Sequence, residues 1–177
     1  MRIVGGKYGG RVLIGFDGKD IRPTSDKTRE SLFNILRNRI YGSNFLDLCC
    51  GTGAIGIEAL SHGAESVTFN DIERSSLNLL RKNLEKLKVE ERYKITNFDA
   101  VSFLMRAENT YDIIYVDPPY KAEIYQKLLA LSVNALKDGG IVIFEGEKPF
   151  DGQADGLIKY DERKYGRAHL TFYKKGE

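Results

Sequence analysis

The stretch from Phe45 to Gly56, Phe-Leu-Asp-Leu-Cys-Cys-Gly-Thr-Gly-Ala-Ile-Gly, constrains the fold of this chain more than any other. It opens on the apolar residues Phe45, Leu46, Leu48 and Cys49, interrupted by Asp47. An apolar run of that length with turn residues behind it reads as a buried strand of a parallel sheet. Gly51, Gly53 and Gly56 follow, and Ile55, Ile57, Ala59 and Leu60 then take up a helical spacing. Strand, glycine turn and helix in succession bring backbone N–H groups close to a ligand at the start of the helix.

Gly51-x-Gly53-x-x-Gly56 fits the dinucleotide fingerprint, and Asp71 lies about 20 residues on, where an acid would meet a ribose hydroxyl. The pattern serves NAD, FAD and S-adenosylmethionine equally well, since each presents a ribose to the end of the second strand. Asp47 tilts the choice. A carboxylate inside the strand gains nothing from a pyrophosphate at this turn, whereas S-adenosylmethionine has no phosphate and carries an ammonium and a sulfonium. The alternative is a carboxylate that bonds the turn or the helix start.

A length of 177 residues suits one domain with a proper core. The net charge of +2 is unevenly placed: residues 1–40 hold nine Lys/Arg and four Asp/Glu, a net +5 that leaves −3 for the rest. A basic N-terminal segment on a near-neutral body points to a polyanionic partner, with a merely solvated face as the alternative. Adjacent Cys49 and Cys50 cannot close a useful loop and read as small buried apolar residues, which fits a reducing cytoplasm. No run approaches the roughly 18 apolar residues of a membrane span, and glycine breaks up any signal-peptide core at once, so a cytoplasmic monomer is expected. His62 and His169 have no ligand spacing, and no metal is expected.

Residues 2–4 and 11–14 read as two short strands around a Gly-Gly-Lys7-Tyr8-Gly-Gly turn, a mobile basic tip offering a cation and a ring, or else a plain flexible hairpin. Pro23 precedes a helix that Thr24, Ser25 or Asp26 can cap, with Leu32, Phe33, Ile35, Leu36 and Ile40 as its apolar stripe to about Arg39. Arg22, Lys27 and Arg29 sit at its entrance. After the glycine turn, strands are expected near 66–70, 93–97, 112–116 and 140–145, alternating with helices near 53–61, 73–88, 99–106 and 123–136. Such alternation means an α/β fold with a parallel sheet, whose ligands bind beyond the carboxyl ends of the strands. The segments 157–164 and 169–174, around Tyr165-Gly166-Arg167, form a terminal hairpin, so a late strand is antiparallel.

Asp117-Pro118-Pro119-Tyr120 follows the apolar run Ile113 to Val116 and therefore stands at a strand end. The two prolines lack N–H groups and fix φ, which stiffens the turn and presents its carbonyls. Tyr120 offers a face for a planar ring. Together they suit an exocyclic nucleobase amine: its N–H donors meet the Asp117 carboxylate and the Pro118 carbonyl, and the electron density so restored lets the nitrogen attack a positioned methyl group. The alternative is a rigid loop without chemistry.

Asp47, Gly51-x-Gly53, Asp71, Asp99 and Asp117-Pro-Pro-Tyr120, in this order, resemble a Rossmann-like class I S-adenosylmethionine-dependent methyltransferase of the amino-group type. Arg2-Ile3-x-Gly5-Gly6 and Arg22-Pro23-Thr24-x-Asp26-x-x-Arg29-Glu30-x-Leu32-Phe33-Asn34 are similar to the RsmD-like family, which methylates a guanine N2 of small-subunit ribosomal RNA. Gly56-x-Glu58-Ala59-Leu60, Ser102-Phe103-Leu104 and the closing Tyr165-Gly166 with Leu170-Thr171-Phe172-Tyr173 agree as well.

The resemblance implies a seven-stranded, mostly parallel sheet with a C-terminal antiparallel hairpin. It implies a small hairpin-and-helix extension over 1–42, facing RNA, on a methyltransferase domain over 43–177. Asp47, Cys49, Gly51, Gly53, Asp71, Ile72, Asp99, Ala100 and Asp117 would surround the cofactor, and Asp117, Pro118, Pro119 and Tyr120 would hold the guanine. Arg2, Lys7, Arg11, Arg22, Thr24 and Arg29 would lie along RNA. Where family members often have Phe-Ala or a similar pair before the glycines, this chain has Cys49-Cys50, a packing change. An adenine-N6 enzyme, an NAD-dependent oxidoreductase and a non-catalytic RNA-binding module are the competing readings. The first usually carries a recognition domain for which 177 residues leave no room, the second leaves Asp-Pro-Pro-Tyr unexplained, and the third gives a dead site no reason to keep its motifs.

Overall fold

The computed structural model describes residues 1–17, 24–119 and 122–176. After an N-terminal segment, the chain runs α1 (Asp26–Leu36), β1 (Asn44–Asp47), α2 (Ala54–Ser61), β2 (Ser66–Asn70), α3 (Arg74–Leu87) and β3 (Arg92–Thr96). It continues through α4 (Ala100–Leu104), β4 (Tyr111–Val116), α5 (Ala122–Ala135), β5 (Leu136–Gly146), β6 (Leu157–Tyr165) and β7 (Ala168–Lys175). The seven strands make one sheet in the order β3-β2-β1-β4-β5-β7-β6. The first five are parallel; β7 runs antiparallel between β5 and β6.

The strands read as continuous apolar runs because both sheet faces are covered. Along β4, Ile113 and Tyr115 join the cluster with Leu32, Phe33, Ile57, Leu80 and Leu84 from α1, α2 and α3. Ile114 and Val116 alternate onto the other face, against Phe103, Leu128 and Leu129 of α4 and α5. Successive residues of a strand point to opposite faces, so two apolar layers demand an unbroken run. The strand order reverses between β1 and β4, and there the helices diverge to opposite faces. In open α/β sheets such a switch point, at the carboxyl ends of the strands, is where ligands bind.

The N-terminal segment departs from the expected pair of strands. It makes a single antiparallel bridge, Arg2 to Val12. Its turn spends its N–H groups on α2 instead: Val4 and Gly5 donate to the Glu58 carboxylate at 2.9–3.1 Å, Lys7 to the Ser61 carbonyl at 2.8 Å and Tyr8 to Ser61 Oγ at 2.9 Å. Backbone donors satisfied by a neighbouring helix are unavailable to a ladder. The tip is accordingly no free basic loop. Tyr8 is 3% exposed, and its hydroxyl and the Lys7 ammonium both donate to Glu91, at 2.5 and 2.7 Å.

Beneath this segment Glu58 is fully buried, and so is Arg29 of α1, with Nε 3.7 Å from the Glu58 carboxylate. Arg29 also donates to the carbonyls of Thr24 (2.7 Å) and Arg2 (2.6 Å) and to Asp26 (2.7 Å). Removing one member of a buried ion pair strands the other's charge, at a cost of roughly 3–5 kcal/mol. Glu58→Ala, which also orphans the Val4 and Gly5 N–H groups, is expected to lower the unfolding free energy by that order, read as a fall in the urea midpoint. Exchange at the exposed, ion-paired Lys7 should stay within about 1 kcal/mol of the parent.

Candidate active site

Three structural devices shape the crevice at the β1/β4 switch. The first is the glycine turn. Gly53 precedes α2 with φ +82°, a left-handed conformation in which a side chain is strained, and a Cβ there would meet Leu80 at 2.2 Å. Gly51 also has positive φ, +53°, but a Cβ would meet nothing within 4 Å, so this side of the turn faces open space. Asp71, at the end of β2, fixes the turn. Its carboxylate accepts from the Gly51 N–H at 2.7 Å and from the Glu73 N–H at 2.9 Å.

The second device is a brace that sequence reading missed. Asn70 is 1% exposed and donates to the carbonyls of Leu48 (3.0 Å) and Phe98 (2.9 Å), while its oxygen accepts from Thr96 Oγ1 and the Phe98 N–H. One amide thus ties together the ends of β1, β2 and β3. Asn97 adds donors to the carbonyls of Asp71 and Ile72, at 2.8 and 2.9 Å. The outcome is two exposed apolar side chains on tethered loops, Ile72 at 61% and Phe98 at 42% exposure. Asp99 serves as the N-cap of α4, accepting from the Ser102 N–H at 2.8 Å, and those bonds to Ser102 hold its pKa below the usual carboxylate value. Ala100, next in line, is half-buried.

The third device is a set of carboxylates without matching cations. Asp47 is 2% exposed and accepts from the Gly56 N–H at 2.9 Å, so the helix-start bonding considered for it does occur. Burial pushes its pKa up to about 7 against that hydrogen bond, and the charges of Asp71 and Glu145 add to the rise. Burial, then Glu145, then Asp47 push Asp117 well above the carboxylate range, and among the described residues no hydrogen-bond donor reaches its carboxylate. Cys49 and Cys50 are free thiols whose pKa values burial drives upward, so they remain neutral packing groups among these acids.

Asp117 opens onto a cavity of about 440 Å³, which Thr24, Thr28, Tyr125, Glu145 and Arg167 help to line. Pro118 is buried behind Asp117 and Pro119 is exposed; Tyr120 lies outside the described residues. Glu145, at the end of β5, is a further acid that the sequence did not single out. Thr24 Oγ1 donates to its Oε2 at 2.9 Å, as does the Tyr115 hydroxyl. The signal available beforehand was a lone acid closing an apolar strand beside Asp117.

The cations expected along a nucleic acid are mostly committed elsewhere. Arg29 is buried. Arg11 donates to the last carbonyls of α3, Lys86 and Leu87, at 3.0 and 2.8 Å. Arg2 pairs with Asp26 at 3.6 Å but keeps an exposed side chain, and Thr24 turns inward to Glu145. Arg22 lies outside the described residues. Arg167 and Lys27, by contrast, line the cavity with no ion pair or hydrogen bond among the described residues. No three described His, Cys, Asp or Glu side chains are placed to hold a metal ion, and no described helix is long and apolar enough to cross a membrane.

The family model described as conserved hypothetical protein 95 matches residues 1–174. The chain belongs to this family. Its relatives include the ribosomal RNA small subunit methyltransferase D of Escherichia coli K12, 39% identical over 140 residues, which are 79% of this chain and 68% of the relative. The protein of the same name from Haemophilus influenzae is 35% identical over 153 residues, 84% of this chain and 79% of that one. The solved structure of yhhF from Escherichia coli superposes with a TM-score of 0.86 at 30% identity, covering 100% of this chain and 98% of that one. The fold of this RsmD-like chain is therefore the seven-stranded methyltransferase sheet, with the antiparallel end that its sequence suggested.

The raised acids give the ligand-free protein an unusual pH response. A group that binds its proton more tightly when folded lowers stability as pH rises from its unfolded value towards its folded one. For Asp47 that window runs from 3.8 to about 7, and Asp117 acts in the same direction. The ligand-free melting temperature should fall between pH 5 and pH 8, by the equivalent of up to roughly 3 kcal/mol for Asp47 alone. Asp47→Asn should flatten that decline in thermal melts; an unaltered slope would contradict the assignment.

Proposed function

We propose that this chain is an S-adenosylmethionine-dependent methyltransferase acting on the exocyclic N2 amine of a guanine in small-subunit ribosomal RNA. The observation that carries this reading is the partly buried Asp117 carboxylate, which meets no described donor and lines a cavity whose 440 Å³ suits a nucleobase. The names of the relatives supply the RNA class.

The crevice fits the cofactor chemically. Asp47 and Asp71 offer negative charge and the Gly51 side is open, which suits an ammonium and a sulfonium rather than a pyrophosphate. Bound there, S-adenosylmethionine supplies an electrophilic methyl group. Asp47, Cys49, Gly51 and Gly53 surround its amino-acid end in this reading, Asp71 serves the ribose, and Ile72, Phe98, Asp99 and Ala100 serve the adenine. Asp117 and the Pro118 carbonyl accept the two N–H bonds of the guanine amine, Pro119 stiffens the turn, and Tyr120 stacks on the ring. Accepting those hydrogens directs the nitrogen lone pair at the methyl carbon; the amine proton leaves after transfer, to Asp117 or to water.

Asp117→Ala should lower kcat at least about 100-fold while leaving the cofactor Kd within about twofold, the magnitude of losing a transition-state hydrogen-bond acceptor. Asp71→Ala removes the clasp on Gly51 and should instead weaken cofactor binding about tenfold, measured by calorimetry. In this reading RNA lies across the cavity, with Lys27 and Arg167, which line it, on its phosphates. Lys27→Ala and Arg167→Ala should each weaken RNA binding and reduce the salt slope by roughly 1, whereas Arg11→Ala should leave that slope unchanged.

With so many cations committed internally, the protein has little surface for reading sequence, and an assembled subunit that supplies the shape is the proposed substrate. The deciding experiment incubates small subunits from a strain lacking this protein with tritiated S-adenosylmethionine, then separates the nucleosides. Label in N2-methylguanosine supports the reading, label in N6-methyladenosine refutes the guanine assignment, and equal labelling of protein-free RNA refutes the need for an assembled particle.

A further inference from the structure

We infer that Glu145 is the residue that selects guanine, its carboxylate accepting the N1–H of the base while Asp117 and the proline turn hold N2. This rests on the guanine-N2 reading and adds to it the group that reads the base. Asp117 and Glu145 stand at the ends of adjacent strands, β4 and β5, and line the same cavity. The Glu145 side chain is anchored through one oxygen only. Its Oε2 accepts from the Tyr115 hydroxyl and from Thr24 Oγ1, and Tyr125 holds its backbone carbonyl at 3.0 Å. Oε1 takes no described donor, although Glu145 is only 9% exposed and borders the cavity.

The cavity floor thus offers acceptors side by side. The Watson–Crick edge of guanine presents donors side by side, N1–H and the N2 amine. Adenine places a lone pair at N1 beside its amine, and a carboxylate facing that lone pair is repelled. A site built to accept a hydrogen bond rejects the analogue that lacks the donor far more strongly than an apolar pocket rejects a shape. Burial raises the pKa of Glu145, opposed by the Tyr115 and Thr24 hydrogen bonds and by the charge of Arg29, so these partners favour the ionised acceptor. Thr24 thereby becomes a positioning residue for Glu145 in place of the RNA contact expected of it.

The test replaces the methylated guanine, once located, by 2-aminopurine in otherwise identical small subunits. 2-Aminopurine keeps the N2 amine but has a lone pair at N1. Wild-type protein should show kcat/KM at least about 100-fold lower on it. Glu145→Gln, whose amide can donate, should lose about 100-fold on guanine and little on 2-aminopurine, so that the ratio collapses to within about tenfold. Thr24→Ala should give an intermediate ratio. Cofactor Kd and melting temperature report whether each variant is folded, and the wild-type ratio stands if Glu145→Gln is not. Equal use of both bases by the wild type, or an equal loss on both in Glu145→Gln, overturns the inference. Label outside N2-methylguanosine would instead sink the underlying guanine reading, and the nucleoside analysis tells the two failures apart.

Discussion

The buried pair of Arg29 and Glu58 is the interaction on which the site depends. Glu58 stands on α2, the helix that begins at the glycine turn, and takes the backbone donors of the N-terminal segment. Arg29 reaches it from α1 and donates to the Thr24 carbonyl, while the Thr24 hydroxyl donates to Glu145 at the end of β5. A chain of polar contacts therefore runs from beneath the glycine turn to the cavity that Asp117 and Glu145 line. Two charges so deep are tolerated because each is met by several hydrogen bonds. The arrangement also explains a motif. Within the Arg-Pro-Thr-x-Asp-x-x-Arg block, Arg29 bonds the Thr24 carbonyl and the Asp26 carboxylate, and of these three only Thr24 borders the cavity.

The crevice itself is defined by charge that the protein leaves uncompensated. Asp47, Asp71, Asp117 and Glu145 converge from four strand ends, and Arg29 is the cation that bears on them, through Glu145. Carboxylates gathered in this way are costly in the empty protein, since burial and mutual repulsion both favour the protonated forms. A ligand carrying positive charge at the glycine turn, and a base presenting donors at the cavity, would relieve that cost. Lys27 and Arg167 line the same cavity and meet no ion-pair partner among the described residues.

Much of this was legible in the chain beforehand. The strand–turn–helix of 45–60, the alternation of strands and helices, the antiparallel hairpin around Gly166 and the placement of Asp117 at a strand end all follow from period, glycine and proline. The basic N-terminal segment was less legible. Lys7, Arg11 and Arg29 look alike as letters, yet one pairs with Glu91, one caps α3 and one is buried against Glu58. Partners some 30 to 84 residues away decide between these roles, and no local pattern encodes them.

The sequence by itself determined the sheet, its covered faces and the placement of Asp117 at a strand end, because apolar periodicity and turn residues act over a few residues. Only the tertiary structure decided which charges face a ligand. It turned Thr24 inward, tied Lys7, Arg11 and Arg29 to partners within the protein, raised Asn70 from strand residue to brace and set Glu145 beside Asp117. The physical reason is that a polar side chain's role depends on the donors and acceptors that folding brings within about 3 Å of it, and those come from distant parts of the chain.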